Sequence, residues 1–523
     1  MNKNLLTVDH LSVGFERHKE FRQVLHEVSF EVQTGEIIGI VGESGSGKSL
    51  TSLTIMDLLS RHAKIVGGRI EFDGIDLLSL KEEQKRKLKG SQMAMIFQEP
   101  MTSLNPAKRI GSQVEEVLKV HTNDTKEVRK QKVLSMLKEV GLSDVSELCE
   151  KYPHQLSGGM RQRVMIAMAM IGEPKLLIAD EPTTALDVTV QAQILDLIQK
   201  MSKKHKTAVI LISHDLGVIK SICDRTFIMY EGRIIEEGLV EDIFQHPKQE
   251  YTKKLLQAVP SLKRSIITKS GEDPVDDEII LQVNNLSSYY ENSTGFFGKS
   301  SRRKVLDHVS LEVRKSEIYG IVGESGSGKS TLAKAIVGML RDVEGTITCH
   351  ATLPQMVFQD PYSSLNPSKK VGWILEEPLK IQGGWSKEQR KEKVRCMLEE
   401  VGLPIDYEQR YVAQLSGGQR QRVAIGVALM NNAKFILLDE PVSALDVTIQ
   451  AQILELLKRL QREYGLSYLF ISHDLNVVYQ LCDRISVMYQ GKIVETKNRD
   501  DLYLRPEHEY TKKLIASMPN GDF

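Results

Sequence analysis

The sequence predicts an α/β fold that occurs twice, as two tandem domains that each contain a mainly parallel central sheet with flanking helices. Short continuous apolar runs, such as EIIGIVG at 36–42 and KLLIAD at 175–180, alternate with helical patterns. Such runs are typical of strands that are covered on both faces. The phrase VGESGSGKS, at 41–49 and again at 322–330, follows an apolar run each time. Alternating strands and helices with a repeated motif therefore indicate a duplicated α/β unit.

Further phrases recur in the same order in both halves of the chain. They are QLSGG at 155–159 and 414–418, DEP at 180–182 and 439–441, ALDVT at 185–189 and 444–448, ISHDL at 212–216 and 471–475, and EYTKKL at 250–255 and 509–514. The repeat predicts one domain at 1–260 and a second at 279–523. The segment 261–278 is polar, contains Gly and Pro, and reads as a linker.

The second half lacks a segment that the first half contains. The stretch from Lys329 to Gln359 is 20 residues shorter than the stretch from Lys48 to Gln98. The additional residues of the first half correspond to much of 71–93, which we expect to form a polar hairpin or helix at the rim of the domain, where deletion is tolerated.

Composition excludes several classes of protein. The chain has 523 residues with 69 basic and 69 acidic side chains, so its charge balance gives no case for nucleic acid or an anionic membrane as a partner. The five cysteines are widely spaced and form no CxxC pair, which argues against a disulfide framework or a zinc site. No signal peptide is expected at the N-terminus, and no stretch approaches 18 uninterrupted apolar residues. A function at a membrane would require spanning segments from other chains.

Two glycine loops are predicted to bind phosphate. Gly42–Ser49 and Gly323–Ser330 both match GxxxxGK[ST] between a strand and a helix. Glycines allow backbone N–H groups to point at phosphate oxygens, and the lysine neutralises the β- and γ-phosphates. The candidate nucleotide-binding residues are Gly42, Glu43, Ser44, Gly45, Ser46, Gly47, Lys48, Ser49 and Leu50, with Gly323, Glu324, Ser325, Gly326, Ser327, Gly328, Lys329, Ser330 and Thr331 in the second half.

Polar residues at the ends of other predicted strands complete this chemistry. Mg²⁺ prefers hard oxygen ligands, which the hydroxyls of Ser49 and Ser330 and the carboxylates of Asp180 and Asp439 would supply. Glu181 and Glu440 follow directly and are candidates for orienting or deprotonating an attacking water. A helix-capping turn is the alternative interpretation of DEP alone. His214 and His473 are candidates for contacting the γ-phosphate, and a purely structural histidine is the alternative there.

The phrase QLSGG gives the family resemblance. Both halves resemble the nucleotide-binding domains of ABC transporters, which implies P-loop NTPase domains with an antiparallel β subdomain and a helical signature subdomain. The resemblance implies ATP as ligand, ATP hydrolysis, and a signature that covers the ATP held by the opposite half. The residues that this assigns are the signature residues Ser157, Gly158, Gly159, Ser416, Gly417 and Gly418, the Mg²⁺- or water-contacting Gln98 and Gln359, the adenine-stacking Phe15 and Tyr290, and Asp187 and Asp446 at the interface between halves.

The resemblance also narrows to one branch of this family. FQEPMTSLNP at 97–106, FQDPYSSLNP at 358–367 and the EYTKKL phrases resemble the ATPases of peptide and nickel importers. This implies two permease subunits that contact the SLNP regions, an extracytoplasmic binding protein, and a location at the cytoplasmic face of the membrane. Peptides, glutathione, nickel chelates and opines are all open as cargo. No obligatory homodimer is expected because the two halves can pair within one chain.

Two residues of the chain depart from the family pattern, and two other classes of ATPase are alternatives to the importer. Met160 stands where the second half has Gln419, and Leu50 stands where it has Thr331; both sites are still expected to hydrolyse ATP. A tandem ABC ATPase of translation is the main alternative, although such proteins resemble this chain less and have a long charged helical linker. A DNA-repair ATPase would call for zinc-binding cysteine pairs or coiled-coil insertions. EYTKKL itself predicts a short amphipathic helix, with Tyr251 and Leu255 on one face, that docks on its own domain.

Overall fold

The computed structural model describes residues 4–17, 20–98, 103–184, 186–258, 278–292, 301–351, 354–443 and 445–517. The predicted linker at 261–278 lies outside the described residues except for Glu278, so the domain boundaries stay predictions. Part of the first SLNP region, at 99–102, also lies outside them.

The first half alternates strands and helices. Its strands are β1 (Asn4–Arg17), β2 (Glu20–Gln33), β3 (Ile37–Val41), β4 (Ala63–Phe72), β5 (Ile75–Asp76), β6 (Met93–Ile96), β7 (Leu176–Asp180), β8 (Ala208–Ser213), β9 (Arg225–Tyr230) and β10 (Arg233–Leu239). Its helices are α1 (Lys48–Ile55), α2 (Glu82–Leu88), α3 (Ile110–His121), α4 (Lys126–Glu139), α5 (Val145–Leu148), α6 (Gly158–Met170), α7 (Val188–His205), α8 (Leu216–Ile222), α9 (Val240–Gln245) and α10 (Glu250–Ala258), with short 3₁₀ turns at Leu77–Ser79 and Pro153–Gln155.

Within the described residues, the second half repeats this order without counterparts of β5 and α2, with a 3₁₀ turn in place of α5, and with one additional short helix, α12. Its strands are β11 (Ile279–Asn292), β12 (Ser301–Arg314), β13 (Ile318–Val322), β14 (Val343–Cys349), β15 (Gln355–Val357), β16 (Phe435–Asp439), β17 (Ser467–Ser472), β18 (Arg484–Tyr489) and β19 (Lys492–Asn498). Its helices are α11 (Lys329–Ile336), α12 (Pro361–Ser364), α13 (Val371–Gln382), α14 (Lys387–Glu400), α15 (Gly417–Met430), α16 (Val447–Tyr464), α17 (Leu475–Leu481), α18 (Arg499–Leu504) and α19 (Glu509–Ala516), with 3₁₀ turns at Ile405–Gln409 and Val412–Gln414.

Each half has a six-stranded central sheet and a smaller antiparallel sheet. The central sheets have the orders β10-β9-β3-β8-β7-β6 and β15-β16-β17-β13-β18-β19. All neighbours are parallel except β9 with β10 and β18 with β19. The smaller sheets have the orders β2-β1-β4-β5 and β12-β11-β14. The predicted α/β class, with a mainly parallel sheet and an antiparallel subdomain, is confirmed.

Both faces of each central sheet are covered, which explains the continuous apolar runs in the sequence. Along β3, Ile38 and Ile40 pack into a core shared with the antiparallel sheet and α1. The alternate residues Ile37 and Val41 pack into a second core formed with the helices. Because side chains of a strand alternate between faces, a strand with two covered faces must be apolar at every position.

The segment that is specific to the first half lies beside the antiparallel sheet. β5 pairs with the end of β4 as a hairpin, and α2 follows. Lys85 and Lys89 of this segment bind the carboxylate of Asp57, at 3.1 Å each. The prediction of a hairpin or helix is confirmed, because both are present. The deletion in the second half removes a surface layer and leaves the central sheet intact.

The fold is not held together by disulfide bonds. All five cysteines are free thiols. Cys482 is fully buried, and Cys223 and Cys482 lie against Gly39 and Gly320 of the central sheets. Burial raises the pKa of the Cys223 and Cys482 thiols. Cys223 and Cys482, which occupy matching positions in the two halves, therefore pack as small apolar residues, as expected of buried free cysteines.

No helix in the described part of the chain has the length and apolar character needed to cross a bilayer.

Candidate nucleotide-binding site

The sheet order brings the predicted site residues of each half together. In the first half, four adjacent parallel strands, β3, β8, β7 and β6, end at one edge of the sheet. The glycine loop follows β3, His214 follows β8, Asp180 ends β7 with Glu181 after it, and Gln98 lies just beyond β6. Residues that are far apart in sequence meet because the carboxyl ends of parallel strands share one edge. β13, β17, β16 and β15 do the same for the second half.

The glycine loops have the backbone that a phosphate cradle needs. Gly45 and Gly47 have φ of 84° and 103°, and Gly326 and Gly328 have φ of 81° and 108°. These left-handed conformations are readily accessible to glycine. Gly47 and Gly328 precede α1 and α11, so the loop N–H groups and the positive helix end are adjacent.

The lysine and one serine of each loop are buried and available for a ligand. Lys48 Nζ donates to the carbonyls of Gly42 and Glu43, at 2.7 and 2.8 Å, and Lys329 does the same with Gly323 and Glu324. Burial lowers the pKa of both ammonium groups. Within the part that the structure describes, Ser46 Oγ and Ser327 Oγ are buried without a hydrogen-bond partner. An anionic ligand would supply what these groups lack.

A hydroxyl and a carboxylate converge at the start of each helix. Ser49 Oγ donates to Asp180 Oδ1 and Ser330 Oγ to Asp439 Oδ1, both at 3.0 Å. Burial raises the pKa of Asp180 to about 6 although the Ser49 hydrogen bond opposes this, and the charge of Glu181 adds to the rise. Burial also raises the pKa of Asp439. A hydroxyl beside a buried carboxylate is a pair of hard oxygen donors that suits a small divalent cation.

Glu181 is held by three side chains that all donate to its carboxylate. The donors are Gln98 Nε2 at 2.8 Å, Thr184 Oγ1 at 2.9 Å and, across an ion pair of 3.2 Å, His214 Nδ1. Burial opposes ionisation, but His214, Thr184 and the charge of Lys48 together outweigh it and lower the pKa of Glu181 to about 2. Burial likewise opposes protonation of His214, and Glu181 nevertheless raises the pKa of the imidazole.

The second half repeats this arrangement with one difference. Gln359 Nε2 and His473 Nδ1 lie 2.9 and 3.0 Å from Glu440 Oε2. Ser443, at the position of Thr184, donates to the backbone carbonyl of Glu440 instead. Glu181 and Glu440 both have left-handed backbones, with φ of 47° and 48°. Such strain in a non-glycine residue is a frequent feature of functional sites.

The two halves contact each other at these sites. The Thr189 hydroxyl of the first half lies 2.8 Å from carboxylate oxygens of both Asp187 and Glu324, and Glu324 belongs to the glycine loop of the second half. A cleft of about 510 Å³ is lined by Leu186 and Asp187 of the first half, and by the glycine loop, Gln359, Glu440 and His473 of the second. A further cavity of about 140 Å³ lies between the halves and is lined by both His214 and His473.

The signature residues begin the helices α6 and α15. Ser157 and Ser416 are the N-caps, and each side chain accepts from the N–H three residues on, at 3.4 Å. Gln419 completes a capping box by accepting from the Ser416 N–H at 3.0 Å. Met160 has no such acceptor, and its side chain packs against the apolar core. The two signatures therefore differ in how firmly the loop before the helix is fixed.

The signature glycines fall into two structural classes. A Cβ on Gly159 would lie 2.8 Å from Val190, and one on Gly418 would lie 2.3 Å from Ile449. A Cβ on Gly158 would make an ordinary contact of 3.6 Å with Leu186. Packing therefore requires the second glycine of each signature. The first glycine has more room, because a Cβ on Gly417 would lie 3.2 Å from the end of the Leu445 side chain.

The remaining predicted residues lie on the edges of this site. Asp187 and Asp446 cap α7 and α16 by accepting from Val190 N and Ile449 N, both at 3.0 Å. Phe15 is half-buried on β1, and Tyr290 is exposed on β11. Adenine stacking by these two side chains stays a prediction.

Sequence reasoning missed four side chains that contact the site. Thr184 and Thr189 reach Glu181 and Glu324 as described above. Tyr251 lies on α10 and reaches the first glycine loop, and Tyr510 on α19 reaches the second. The repetition of EYTKKL was the available signal for the tyrosines, but its apolar spacing indicated only docking.

Comparisons with known proteins agree with this geometry. The ABC transporter family model matches residues 25–184 and 306–443. The model described as the oligopeptide/dipeptide transporter C-terminal region matches 235–279 and 494–523, which include both EYTKKL segments.

Curated relatives match over almost the whole chain. The glutathione import ATP-binding protein GsiA of Escherichia coli (strain K12) is 42% identical over 99% of this chain and 90% of that protein. The protein of the same name from Pectobacterium atrosepticum is 41% identical over the same shares. Both relatives therefore share the tandem organisation in nearly its full length.

Solved structures extend the likeness to the fold. The archaeal ribosome recycling factor aABCE1, in complex with the ribosomal stalk protein aP1, has a TM-score of 0.60 and 23% identity over 91% of this chain and 88% of that chain. A structure titled RNase-L Inhibitor has a TM-score of 0.60 and 20% identity over 93% and 90%. At these identities the likeness shows a shared tandem fold alone.

Proposed function

The chain belongs to the family of ABC transporter ATP-binding proteins, and from this premise we propose that it powers an importer for peptides or peptide-like solutes such as glutathione. ATP hydrolysis is the activity of this family, and the curated relatives are named as import ATP-binding proteins. The choice of cargo class is supported by the oligopeptide/dipeptide transporter segment at the end of each half. The relatives named as glutathione import proteins support the same class.

One observation carries the assignment of the catalytic residues. In each half, a strained, partly buried glutamate behind the glycine loop is contacted by a histidine and a glutamine. A glutamate with a lowered pKa is ionised at neutral pH and accepts hydrogen bonds. We assign Glu181 and Glu440 the role of orienting the attacking water and accepting its proton. His214 and His473 hold the carboxylate and donate toward the transferred phosphoryl group.

The glycine loop and the metal-binding oxygens stabilise the charge of the phosphates. Lys48 and Lys329 exchange two loop carbonyls for phosphate oxygens when ATP binds. The hydroxyl and carboxylate pairs Ser49–Asp180 and Ser330–Asp439 would hold Mg²⁺, with Gln98 and Gln359 close by. When bound, Mg²⁺ neutralises charge that develops on the phosphate oxygens.

The two halves are proposed to close on two nucleotides. The signature residues Ser157 and Gly158 would cover ATP on the second glycine loop, and Ser416 and Gly417 would cover ATP on the first. The Thr189–Glu324 contact supports pairing within the chain. Hydrolysis would reopen the halves and drive two permease subunits at the SLNP regions, on the cytoplasmic face of the membrane. An extracytoplasmic binding protein would deliver the cargo.

Uptake by cells that lack this chain tests the cargo class. Labelled glutathione and a labelled dipeptide are supplied separately to parental cells, deletion cells and complemented cells. We expect uptake of at least one of them to fall on deletion and to return with the parental chain. It should not return with the Lys48→Ala, Lys329→Ala double variant. Unchanged uptake of both solutes in the deletion cells would overturn the cargo proposal and leave the ATPase activity untouched.

A further inference from the structure

We propose that Tyr251 and Tyr510 are positioning residues for ATP binding, which hold the glycine loop of their own half through the phenolic oxygen. The backbone N–H of Glu43 donates to Tyr251 Oη at 3.1 Å. The N–H of Glu324 donates to Tyr510 Oη at 3.0 Å. The same contact is made in both halves, between residues that are 208 and 186 positions apart.

The tyrosine holds a backbone peptide unit of the glycine loop that would lose its hydrogen bond to the lysine when ATP binds. Before ATP binds, the carbonyls of Gly42 and Glu43 accept from Lys48 Nζ, while the N–H of Glu43 is held by Tyr251. When the lysine turns to the phosphates, these carbonyls lose their shared donor. The hydrogen bond to Tyr251 is then left to hold this peptide unit in the orientation that the cradle requires.

The helices that carry the tyrosines are seated firmly enough for this role. The rings of Tyr251 and Tyr510 pack on Tyr230 and Tyr489, with centroids 4.3 and 4.2 Å apart. Leu255 is buried one turn beyond Tyr251. An aromatic pair and a buried leucine leave little freedom for the ring to rotate away from the loop.

Each helix is also fixed at its N-terminus by a buried glutamate. The carboxylate of Glu236 accepts from the N–H groups of Lys248 and Gln249, at 2.7 and 3.1 Å. Glu495 accepts from Glu507 and His508 in the same way, at 2.8 and 3.0 Å. Since β10 and β19 supply these glutamates, the helix is attached to the sheet next to its own glycine loop.

The contact lies where the two halves meet. α10 packs against α16 of the second half. The carboxylate of Glu324, whose N–H is bound by Tyr510, contacts Thr189 of the first half at 2.8 Å. Thr448, at the position of Thr189 in the other half, has a buried hydroxyl without a partner within the described residues. Glu43 and Glu324 each follow the first glycine of their loop, and each is thus bound by a tyrosine of its own half. Glu324 is also bound by Thr189 of the opposite half.

The test removes the two hydroxyls and keeps the rings. The Tyr251→Phe, Tyr510→Phe double variant is compared with a matched Tyr230→Phe, Tyr489→Phe variant. This control removes the hydroxyls of the two stacked partner rings and leaves the hydrogen bonds to the glycine loops in place. ATP binding at equilibrium, KM for ATP and kcat are measured on the full chain with Mg²⁺, together with thermal unfolding without nucleotide. Loss of one hydrogen bond per site is expected to weaken ATP binding about three- to tenfold. The kcat at saturating ATP should stay at the parental value. The unfolding temperature should fall by at most a few degrees, because each site loses one hydrogen bond that is also present without nucleotide, and the control should keep the parental affinity for ATP.

Three results would overturn the inference. They are parental ATP affinity in the Tyr251→Phe, Tyr510→Phe variant, an equal loss of affinity in the control, and a loss of kcat without a change in affinity. The single variants Tyr251→Phe and Tyr510→Phe repeat the test should the double variant fold poorly. The inference rests on the ATPase activity, and the parental chain measured alongside separates the two, because an inactive parental chain would count against the activity itself.

Discussion

Substitution of Gly418 by alanine tests whether packing fixes the second glycine of the signature. The added Cβ would lie 2.3 Å from Ile449 Cγ2, whereas ordinary carbon contacts are about 3.5–4.0 Å. Either α15 and α16 must therefore move apart by more than 1 Å, or the side chain of Ile449 must leave its preferred rotamer. Overpacking of this kind typically destabilises by about 1–3 kcal/mol, and we expect about 2 kcal/mol for Gly418→Ala. The neighbouring Gly417→Ala, where the Cβ meets the flexible end of Leu445 at 3.2 Å, should lose less than about 1 kcal/mol.

The position of the two tryptophans makes this measurement local. Trp373 and Trp385 are the only tryptophans of the chain, and both pack against the same core as α15. Urea unfolding followed by tryptophan fluorescence therefore reports on the second half. In a double-mutant cycle, Ile449→Ala should recover at least about 1 kcal/mol of the loss, because it removes the methyl group that the alanine meets.

Parental stability of Gly418→Ala would refute this reasoning. So would a loss that Ile449→Ala does not relieve, because the strain would then come from elsewhere. A loss as large for Gly417→Ala would remove the distinction between the two glycines. If the distinction holds, a fall in ATP turnover of Gly417→Ala can be attributed to the nucleotide site.

Three further predictions concern stability and turnover. The buried carboxylate of Glu495 has a lowered pKa, because the backbone N–H groups of Glu507 and His508 and the ammonium group of Lys497 outweigh the effect of burial. Its contribution is present above pH 4.5 and is lost as the pH falls through the lowered pKa, so Glu495→Gln should cost about 1–2 kcal/mol in urea unfolding at pH 7 and less at pH 4; an equal difference at both pH values would contradict this. Gln419→Met should destabilise the second half by about 0.5–1 kcal/mol in the same assay, because Ser416 N–H loses its acceptor, and a stability equal to that of the parental chain would show that this bond is not needed. The His214→Ala, His473→Ala variant should bind ATP but turn it over at least about tenfold more slowly, since Glu181 and Glu440 lose their histidine partners, and parental turnover would exclude the histidines from the reaction.

Most of the fold could be predicted from the sequence because its signals are local. The apolar runs at 36–42 and 175–180 became β3 and β7, and the alternation of strands with helices gave a parallel sheet. A parallel sheet in turn places Lys48, Glu181 and His214 at one edge. The convergence of the site residues therefore follows from the order of motifs and from the topology.

The contacts that the sequence did not predict depend on how the helices and strands pack against one another. The spacing of Tyr251 and Leu255 predicted an apolar helix face, and both residues do pack against the core. That the phenol reaches the N–H of Glu43 depends on the angle at which α10 crosses β9 and β10, which no local pattern encodes. The Thr189–Glu324 contact likewise requires the arrangement of the two halves. The capping role of Gln419 was visible as an Ser-x-x-Gln pattern, but its absence at Met160 was interpreted only in terms of catalysis.

ATP turnover by the Glu181→Gln, Glu440→Gln variant shows directly whether these two carboxylates act in hydrolysis. The substitution keeps the size of both side chains and removes the carboxylates that are proposed to orient the attacking water and accept its proton. We expect turnover to fall at least about a hundredfold, with ATP binding retained in both sites. Hydrolysis by the double variant at the parental rate would contradict this role.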